Sequence, residues 1–484
     1  MFCLTFVLFV FSFALATVSK QTPFDLDTSL PYFTSLNTNY EQNLFELWES
    51  YVNGYDHPLV LQLKKHDKFY HFDYMSEENI FLHNTVETLS DDLFEEIKHE
   101  IPSIKTRADL TKFKQNAIYI LVRNYELDSL CKSILNFLSR VPHPYFDFII
   151  MNDKPFDPFF INQITKFIIN SNNPTTKKWA ERLITVKFGL IKAEIWDPLE
   201  HKEDYTTIPM SVIESRWEQQ EEQGILYGGS RSYRNMCRFQ SMNFYNHPSL
   251  DGYKYTMRME PGVEYLCNFD PFGELRDGVK YAFTLSLVEY PETIPSLFTT
   301  YLTYKRDEYY RNRELFEFIN DGIGGYNLCH FWTNFEVISL DWVRSEEYNR
   351  FMEHFDKTAG FYMERWGDAP LRTLAVVELL SIDEVQWLDI GYLHPPFVSC
   401  PGDLKSRTER QCTCEPYDFE NDILGISLVY MNEEGFENDD DDDDEEEEEE
   451  ENNDNFDFDR ITINMHDYSC LKKWWRYGEG KSFL

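Results

Sequence analysis

The chain has 484 residues, of which 42% are hydrophobic and 17% aromatic, so it can bury a sizeable core and is not disordered overall. This length allows roughly two to four domains, or one large α/β enzyme domain. The formal net charge is −39, and because such an acidic chain repels nucleic-acid phosphates, we expect no nucleic acid among its partners.

The N-terminal segment MFCLTFVLFVFSFALATVSK carries no charged side chain before Lys20. Its length suits a secretory signal or a marginal membrane anchor, and Ala14-Leu15-Ala16 resembles a signal-peptidase site. The missing basic residues before the apolar run weaken both interpretations, and a buried core helix is the remaining alternative. We therefore predict a signal peptide or signal-anchor at 1–19, with the rest of the chain in the secretory lumen and the membrane contacted through this segment.

Cysteine usage fits an oxidising lumen. One of the nine cysteines, Cys3, lies in the leader, and the other eight are an even number that permits several disulfide pairings. Cys412-Thr413-Cys414 is too tight for the usual zinc spacing, so a zinc site there is disfavoured. The remaining eight cysteines are Cys131, Cys237, Cys267, Cys329, Cys400, Cys412, Cys414 and Cys470.

Residues 20–110 are polar and irregular, and we predict a stem with a small packed region. A strand–helix–strand–helix pattern then follows, in which short apolar runs alternate with segments of helical periodicity. Such an alternation predicts a parallel sheet with crossover helices in a domain that we place at 111–484. The pattern comprises strands at 116–122 and 145–151 and helices at 126–139 and near 158–170.

Polar side chains follow both predicted strands: Arg123 and Asn124 after the first, Asn152 and Asp153 after the second. In parallel sheets ligands bind at the carboxyl ends of the strands. These residues therefore lie where a nucleotide would bind, although ordinary polar loop residues would look the same.

The segment YKYTMRMEPG at 253–262 alternates cleanly between two faces and ends at Pro261-Gly262. Glu260 is thus placed at a strand tip, a common position for a catalytic or metal-binding carboxylate. Helices are predicted further along at 308–320, 344–358 and 370–380.

An unbroken run of acids at 439–451 repels itself and predicts a disordered insertion at about 436–456. Collection of Ca²⁺ or Mn²⁺ is a conceivable role, but a solvated loop is the simpler one. The DFD at 457–459 looks like the metal motif of sugar-nucleotide enzymes. It follows an acidic run instead of an apolar strand and is discounted.

Two more residues have functional and ordinary interpretations. Glu336 is the lone acid of the apolar stretch YNLCHFWTNFEV, and an acid there must be paired or catalytic. His394, in DIGYLHPP, can ligate a metal or simply pack in a stiff loop. Spacing alone does not decide between these alternatives.

Four motifs in order resemble the fungal α-1,2-mannosyltransferases of glycosyltransferase family 15. They are YGGSRSYRNMCRFQSMNFYNHP, YTMRMEPGVEYLC, YNLCHFWTNFEV and DIGYLHPPFVSCP, and LVRN at 121–124 and MNDKPF at 151–156 also resemble family segments. The resemblance runs from about residue 116 to the C-terminus. It implies a GT-A-like α/β fold with a mixed, mainly parallel sheet flanked by helices, and a type II Golgi membrane protein with a lumenal catalytic domain.

The resemblance also implies a function. The chain would transfer mannose from GDP-mannose, with retention and with Mn²⁺ as cofactor, to mannose residues of N- or O-linked glycans. By the same resemblance Glu336 matches a proposed nucleophile, and Glu260 and His394 match the metal ligands. Tyr233 matches a tyrosine important at the donor site, and Arg123 and Asn152 match donor-side residues less closely.

The family motif E-P-D reads E-P-G here, with Gly262 in place of the acid. One acidic group near the expected metal is lost, which could change metal affinity or donor binding. A different class of function is therefore also open: a catalytically inactive lumenal homologue that binds glycans or a partner transferase.

Overall fold

A computed structural model of the chain describes residues 78–82, 86, 89–170, 182–202, 205–304, 313–395, 397–401, 404–414, 469–471 and 473–474. All of them belong to one unit, Phe69–Leu484. The predicted leader at 1–19, most of the predicted stem and the acidic insertion at about 436–456 lie outside the described residues. No helix among the described residues is long and apolar enough to cross a membrane.

The strands form one large sheet and two small ones. In chain order they are β1 (Glu78–Leu82), β2 (Asn116–Leu121), β3 (Asp147–Asn152), β4 (Val186–Leu190), β5 (Tyr255–Met259), β6 (Glu264–Tyr265), β7 (Tyr281–Phe283), β8 (Ser286–Val288), β9 (Cys329–Phe331), β10 (Glu336–Ser339), β11 (Val385–Trp387), β12 (Tyr392–His394) and β13 (Phe397–Ser399).

The large sheet has the order β1-β4-β3-β2-β5-β10-β7-β11. Its β4-β3-β2-β5 half and its β7-β11 pair are parallel, whereas β1 and β10 run antiparallel to their neighbours. Strands β12, β13 and β6 form a small antiparallel sheet, and β8 pairs with β9. This mixed, mainly parallel sheet with flanking helices confirms the predicted fold class.

The helices that flank the sheets are α1 (Asp91–Glu100), α2 (Arg107–Phe113), α3 (Leu127–Arg140), α4 (Pro158–Asn170), α5 (Ala193–Trp196), α6 (Pro198–His201), α7 (Met210–Glu222), α8 (Arg231–Met242), α9 (Leu297–Tyr304), α10 (Arg313–Ile319), α11 (Leu340–Val343), α12 (Glu346–Asp356), α13 (Gly360–Met363), α14 (Asp368–Leu379) and α15 (Leu404–Glu409). The predicted helices at 126–139, 158–170, 344–358 and 370–380 are therefore present. Of the one predicted at 308–320, the described part is α10.

Strand and helix formation follow from the sequence pattern. β2 and β3 are nearly continuous apolar runs because the parallel strands at the sheet centre are covered on both faces. α3 buries Leu130, Ile134 and Phe137 at helical spacing, so one face packs on the sheet. α14 is buried along most of its length, which makes it the central helix behind the site.

Between residues 78 and 113 the described chain forms β1, α1 and α2. β1 pairs with β4 at the edge of the large sheet. Leu93 and Ile97 of α1 belong to the same hydrophobic core as β2 and β3. This region is thus continuous with the sheet that carries the site.

The described residues form three disulfides: Cys267–Cys412 and Cys329–Cys470 join segments 145 and 141 residues apart, and Cys400–Cys414 closes a short loop with a separation of 14. The sequence alone allowed several disulfide pairings, and these are the ones that the fold forms. Both cysteines of the Cys412-Thr413-Cys414 segment are bonded to other cysteines, which explains that tight spacing without a metal. Cys131 and Cys237 are buried and free.

Candidate active site

The carboxyl edge of the parallel strands collects most of the predicted site residues. β2 runs parallel to β3 and to β5, so their carboxyl ends lie side by side. Arg123 follows β2, Asn152 ends β3, and Glu260 follows β5. β10 runs antiparallel to β5 and begins with Glu336, which is therefore at the same edge. The topology brings together residues that are far apart in sequence.

Strand register also decides which side chains share a face of the sheet. Arg258 and Glu260 are two residues apart and point to the same face. The pairing of Val337 with Met257 places Glu336 directly opposite Arg258 on the neighbouring antiparallel strand. Glu336 thus lies on the same face as Glu260, displaced from it by one strand and two residues.

Glu260 and His394 form a carboxylate–imidazole pair. Nε2 of His394 lies 3.4 Å from Oε2 of Glu260, and each side chain is only about a quarter exposed, at 27% and 25%. Oε1 of Glu260 accepts a hydrogen bond from the Arg258 guanidinium. Loss of water alone would raise the pKa of Glu260, but Arg258 and His394 outweigh it and lower that pKa to about 2.

These two side chains fit a hard divalent cation such as Mn²⁺. Two ligands about 2.1 Å from one octahedral ion are about 3 Å apart, close to the separation of these two atoms. A carboxylate oxygen with one imidazole suits Mn²⁺ when phosphates and water complete the shell. Among the described residues Nδ1 of His394 has no hydrogen-bond partner. The ring is held instead by Trp332, whose centroid lies 4.7 Å away.

Glu336 lies on the same face of the sheet as Glu260, but its side chain is buried. Its Oε2 lies 3.4 Å from Nε of Arg372, and both side chains are almost inaccessible to solvent. Burial raises the pKa of Glu336, and the guanidinium groups of Arg372 and Arg258 act against that rise. The acid that the apolar stretch singled out is therefore paired.

Sequence reasoning missed the charged residues that organise this cluster. Asp368 and Arg372 lie one turn apart on α14, and Oδ2 of Asp368 accepts hydrogen bonds from Arg258 at 2.6 Å and from Thr333 at 2.7 Å. A signal was present, since a buried acid and arginine stand in the apolar run DAPLRTLAVVEL. The argument applied to Glu336 applies equally to this segment, because charges in apolar runs need partners.

Arg123 lies at the same edge of the sheet, just after β2. It pairs with Asp153, its Nη2 donates to Oγ of Ser232 at 2.8 Å, and its guanidinium lies 5.2 Å from the Trp196 ring. Oδ1 of the buried Asn152 has no hydrogen-bond partner among the residues that the structure describes. That leaves a buried hydrogen-bond acceptor at the end of β3, available to a hydrogen-bond donor of a ligand.

Tyr233 lies in the first turn of α8, directly after Ser232, which Arg123 contacts. Its ring stacks on Tyr227, with centroids 4.4 Å apart and planes at 14°. Nη1 of Arg365 donates to its hydroxyl at 3.0 Å. Burial raises the pKa of Tyr233, so the phenol is protonated at neutral pH.

Gly262, the departure from the family motif, has a structural role in the turn after Glu260. Its φ is +87°, in the left-handed region that favours glycine, and an added Cβ would lie 3.2 Å from Oγ of Ser129. Its backbone N–H donates to Oγ of Ser133 at 2.9 Å. The residue turns the chain while Glu260 and His394 remain paired, so losing the acid leaves both metal-ligand candidates in place.

The class of protein follows from the sheet edge and the ligand pair taken together. Carboxyl ends of parallel strands bind nucleotides, and a cation held there neutralises a diphosphate. This arrangement is that of an enzyme that binds a nucleoside diphosphate with a divalent cation, as glycosyltransferases with a GT-A-like fold do.

Sequence comparison then identifies the family. The profile of the family described as glycolipid 2-alpha-mannosyltransferase matches residues 70–435. The chain therefore belongs to that family, and the predicted membership of glycosyltransferase family 15 is confirmed.

Several known proteins are similar to this chain in sequence, in structure or in both. The Saccharomyces cerevisiae protein named probable mannosyltransferase YUR1 is 35% identical over 399 residues, which cover 78% of this chain and 79% of that protein. The X-ray structure of S. cerevisiae mannosyltransferase Ktr4p in complex with GDP is 26% identical with a TM-score of 0.56, covering 81% of this chain and 90% of that one. The Mn/GDP form of core-mannan synthase A from Aspergillus fumigatus is 31% identical with a TM-score of 0.53, covering 63% and 79%.

Proposed function

We propose that the protein transfers mannose from GDP-mannose to the 2-hydroxyl of a mannose acceptor, with retention of the α configuration and with Mn²⁺. The observation that carries this proposal is the Glu260–His394 pair, 3.4 Å apart at the carboxyl edge of the sheet. The family description names an α-1,2 linkage. Relatives with GDP, and with Mn and GDP, support the donor and the cofactor.

We assign the binding of the sugar donor, GDP-mannose, to the carboxyl edge of the parallel strands. Glu260 and His394 would hold the cation, which neutralises the diphosphate as it leaves. The guanidinium of Arg123 would meet a phosphate or the nucleoside, and Asn152 would supply its unsatisfied carbonyl oxygen from the end of the neighbouring strand β3. Tyr233 presents a protonated hydroxyl from the first turn of α8.

Glu336 supplies negative charge beneath this edge. Transfer with retention creates positive charge at the anomeric carbon, and a nearby carboxylate stabilises it as nucleophile or as electrostatic partner. Because Glu336 is buried and paired with Arg372, the geometry favours the electrostatic role over direct attack. Arg258, between Glu336 and Glu260, links that charge to the metal-ligand pair.

The acceptor and the location are part of the proposal. Mannose residues of N- or O-linked glycans are the acceptors that suit this family, and the site would lie in the Golgi lumen with the chain attached to the membrane by residues 1–19. Three disulfides support a secretory compartment, because cytosolic proteins keep their thiols reduced.

The test is a transfer assay with purified protein, GDP-mannose, Mn²⁺ and methyl α-mannoside or a short α-mannoside. We expect an α-1,2-linked disaccharide product by NMR and methylation analysis, and no product after chelation of the metal. The same assay with GDP-glucose and UDP-glucose controls for donor identity. Binding of GDP-mannose without any transfer or hydrolysis would instead favour the inactive, glycan-binding homologue.

A further inference from the structure

A buried arginine that no recognised motif explains contacts Tyr233. Arg365 is 4% exposed and lies between α13 and α14. Its Nη1 donates to the Tyr233 hydroxyl at 3.0 Å, and its Nη2 lies 3.5 Å from a carboxylate oxygen of Glu289. The guanidinium carbon is 5.3 Å from the centroid of the Tyr233 ring. One side chain thus contacts both the hydroxyl and the ring of the donor-side tyrosine.

The backbone around Arg365 is fixed. Its own N–H donates to the carbonyl oxygen of Thr293 at 3.1 Å. The preceding Glu364 accepts from the indole of Trp366 at 2.5 Å and from the backbone N–H of Ser296 at 3.1 Å. Three residues further on, Asp368 binds Arg258. One short segment therefore connects the tyrosine to the residues around the metal-ligand pair.

Tyr233 is also held from its other side. Tyr227 stacks on its ring and has a φ of +61°, which is rare for a residue with a side chain. The buried guanidinium of Arg234 donates to the carbonyl oxygens of Tyr227 at 3.3 Å and of Gly228 at 2.5 Å. The tyrosine ring is therefore fixed by Tyr227 on one side and by Arg365 at the hydroxyl.

The direction of the hydrogen bond has a chemical consequence. A guanidinium can only donate, so the Tyr233 oxygen is the acceptor in its contact with Arg365. The phenolic proton is then free to be donated: the neighbouring Cys237 sulfur is only a weak acceptor, and an oxygen of a bound ligand would be a stronger one. Sugar hydroxyls and phosphates offer such oxygens.

We propose that Arg365 is a positioning residue that fixes the Tyr233 hydroxyl as a hydrogen-bond donor to the mannosyl group of the bound donor or to its acceptor. This inference rests on the proposed mannosyl transfer. A purely structural arginine, needed only to neutralise Glu289 and fill space, is the competing explanation. The two differ in one respect: only a positioning residue loses its effect when the tyrosine hydroxyl is absent.

The test is a double-mutant cycle with Arg365→Gln, Tyr233→Phe and the combined variant. We expect Arg365→Gln to lower kcat about ten-fold or more in the Tyr233 protein, and to have little further effect in the Tyr233→Phe protein. Arg365→Lys, which keeps one donor and the charge, should recover part of the loss. Additive losses in the combined variant would overturn the proposal.

Arg344→Gln is the matched control. Arg344 is an arginine whose guanidinium donates to the backbone carbonyls of Tyr245 and Leu250 at 2.8 and 3.0 Å, and its contacts within the described residues do not include Tyr233. Its effect should therefore add to that of Tyr233→Phe.

A binding cycle separates this inference from the proposed function. Calorimetry with Mn²⁺ and GDP or GDP-mannose gives the affinity contributed by the mannosyl group in each variant. Suppose that the wild type transfers no mannose, but that the effects of the Arg365 and Tyr233 substitutions on the affinity for the mannosyl group are still coupled. The proposed function then fails and the positioning role stands. If transfer occurs and neither cycle shows coupling, the positioning role fails alone.

Discussion

Arg258 and Glu336 face each other across the antiparallel pair β5–β10, and each has a second partner of opposite charge on α14. Arg258 donates to Asp368 at 2.6 Å, and Glu336 lies 3.4 Å from Arg372. These buried charges compensate one another. Removing any one of them leaves an uncompensated charge in a low-dielectric interior, which is costly.

The first prediction concerns Glu336→Gln. The amide keeps the shape but not the charge, so we expect turnover to fall by roughly 100-fold or more while the affinity for GDP with Mn²⁺ changes little. Steady-state kinetics and calorimetry measure the two quantities. Glu347→Gln, on the exposed side of α12, should be neutral. Near-normal turnover in the Glu336 variant would remove its electrostatic role.

Metal binding should depend on His394. In His394→Ala one of two protein ligands is lost, and we expect the Mn²⁺ concentration for half-maximal activity to rise by roughly ten-fold or more, with partial recovery at high Mn²⁺. His354→Ala is the control, because His354 contacts Thr300 and Thr303 away from the sheet edge. An unchanged Mn²⁺ dependence in the His394 variant would contradict its assignment as a ligand.

Acid stability should depend on His143. This histidine is buried between Phe113 and Phe146, with both ring centroids at 4.7 Å. Burial lowers its pKa from 6.5 to about 4, against a smaller opposing effect of Asp270. Between these two values the unfolded chain binds more protons than the folded one. Stability is therefore fully present above pH 6.5 and falls as the pH drops towards 4.

As the pH falls from about 7 to about 5, we expect the preferential protonation of His143 in the unfolded chain to lower the free energy of unfolding by about 2 kcal/mol. His143→Phe, which keeps a ring among phenylalanines, should show a correspondingly shallower loss. Urea unfolding of both proteins at several pH values measures the difference. Parallel pH profiles would show that the histidine is protonated in the folded state or makes no contribution.

Gly262→Ala should destabilise the protein by about 1–2 kcal/mol, because an L side chain at positive φ is strained and its Cβ would also be crowded by Ser129. Gly278 has the same φ of +87° but open space around a built Cβ. Gly278→Ala therefore measures the conformational cost alone. Equal losses of unfolding free energy in the two variants would show that the contact with Ser129 contributes nothing.

Much of the fold could be predicted because its signals are local. The apolar runs of β2 and β3 and the periodicity of α3 identify their elements without any tertiary information. Glu260 and His394 could be assigned only because their surrounding motifs resemble a family, since a lone histidine in a loop does not indicate its partner. The structure brings them to 3.4 Å, but their roles remain predictions.

The partners of the charged residues could not be predicted in the same way. The alternation of YKYTMRMEPG places Arg258 on a strand but does not indicate its partner Asp368, which is 110 residues away in sequence. Arg365 carries no local signal at all, because its contact with Tyr233 depends on how α8 meets the turn before α14. Disulfide pairing likewise depends on the packed structure, as Cys329 and Cys470 are separated by 141 residues.

Cys470 and Trp474 have a consequence for how the chain responds to a protease. Cys470 is bonded to Cys329, and the Trp474 ring packs 5.1 Å from Phe283 in the core. A single cleavage anywhere in 415–468 would therefore release no fragment. In denaturing electrophoresis the cleaved chain would migrate as one species without reductant and as two pieces after reduction. In the native protein the smaller piece would remain packed against the sheet.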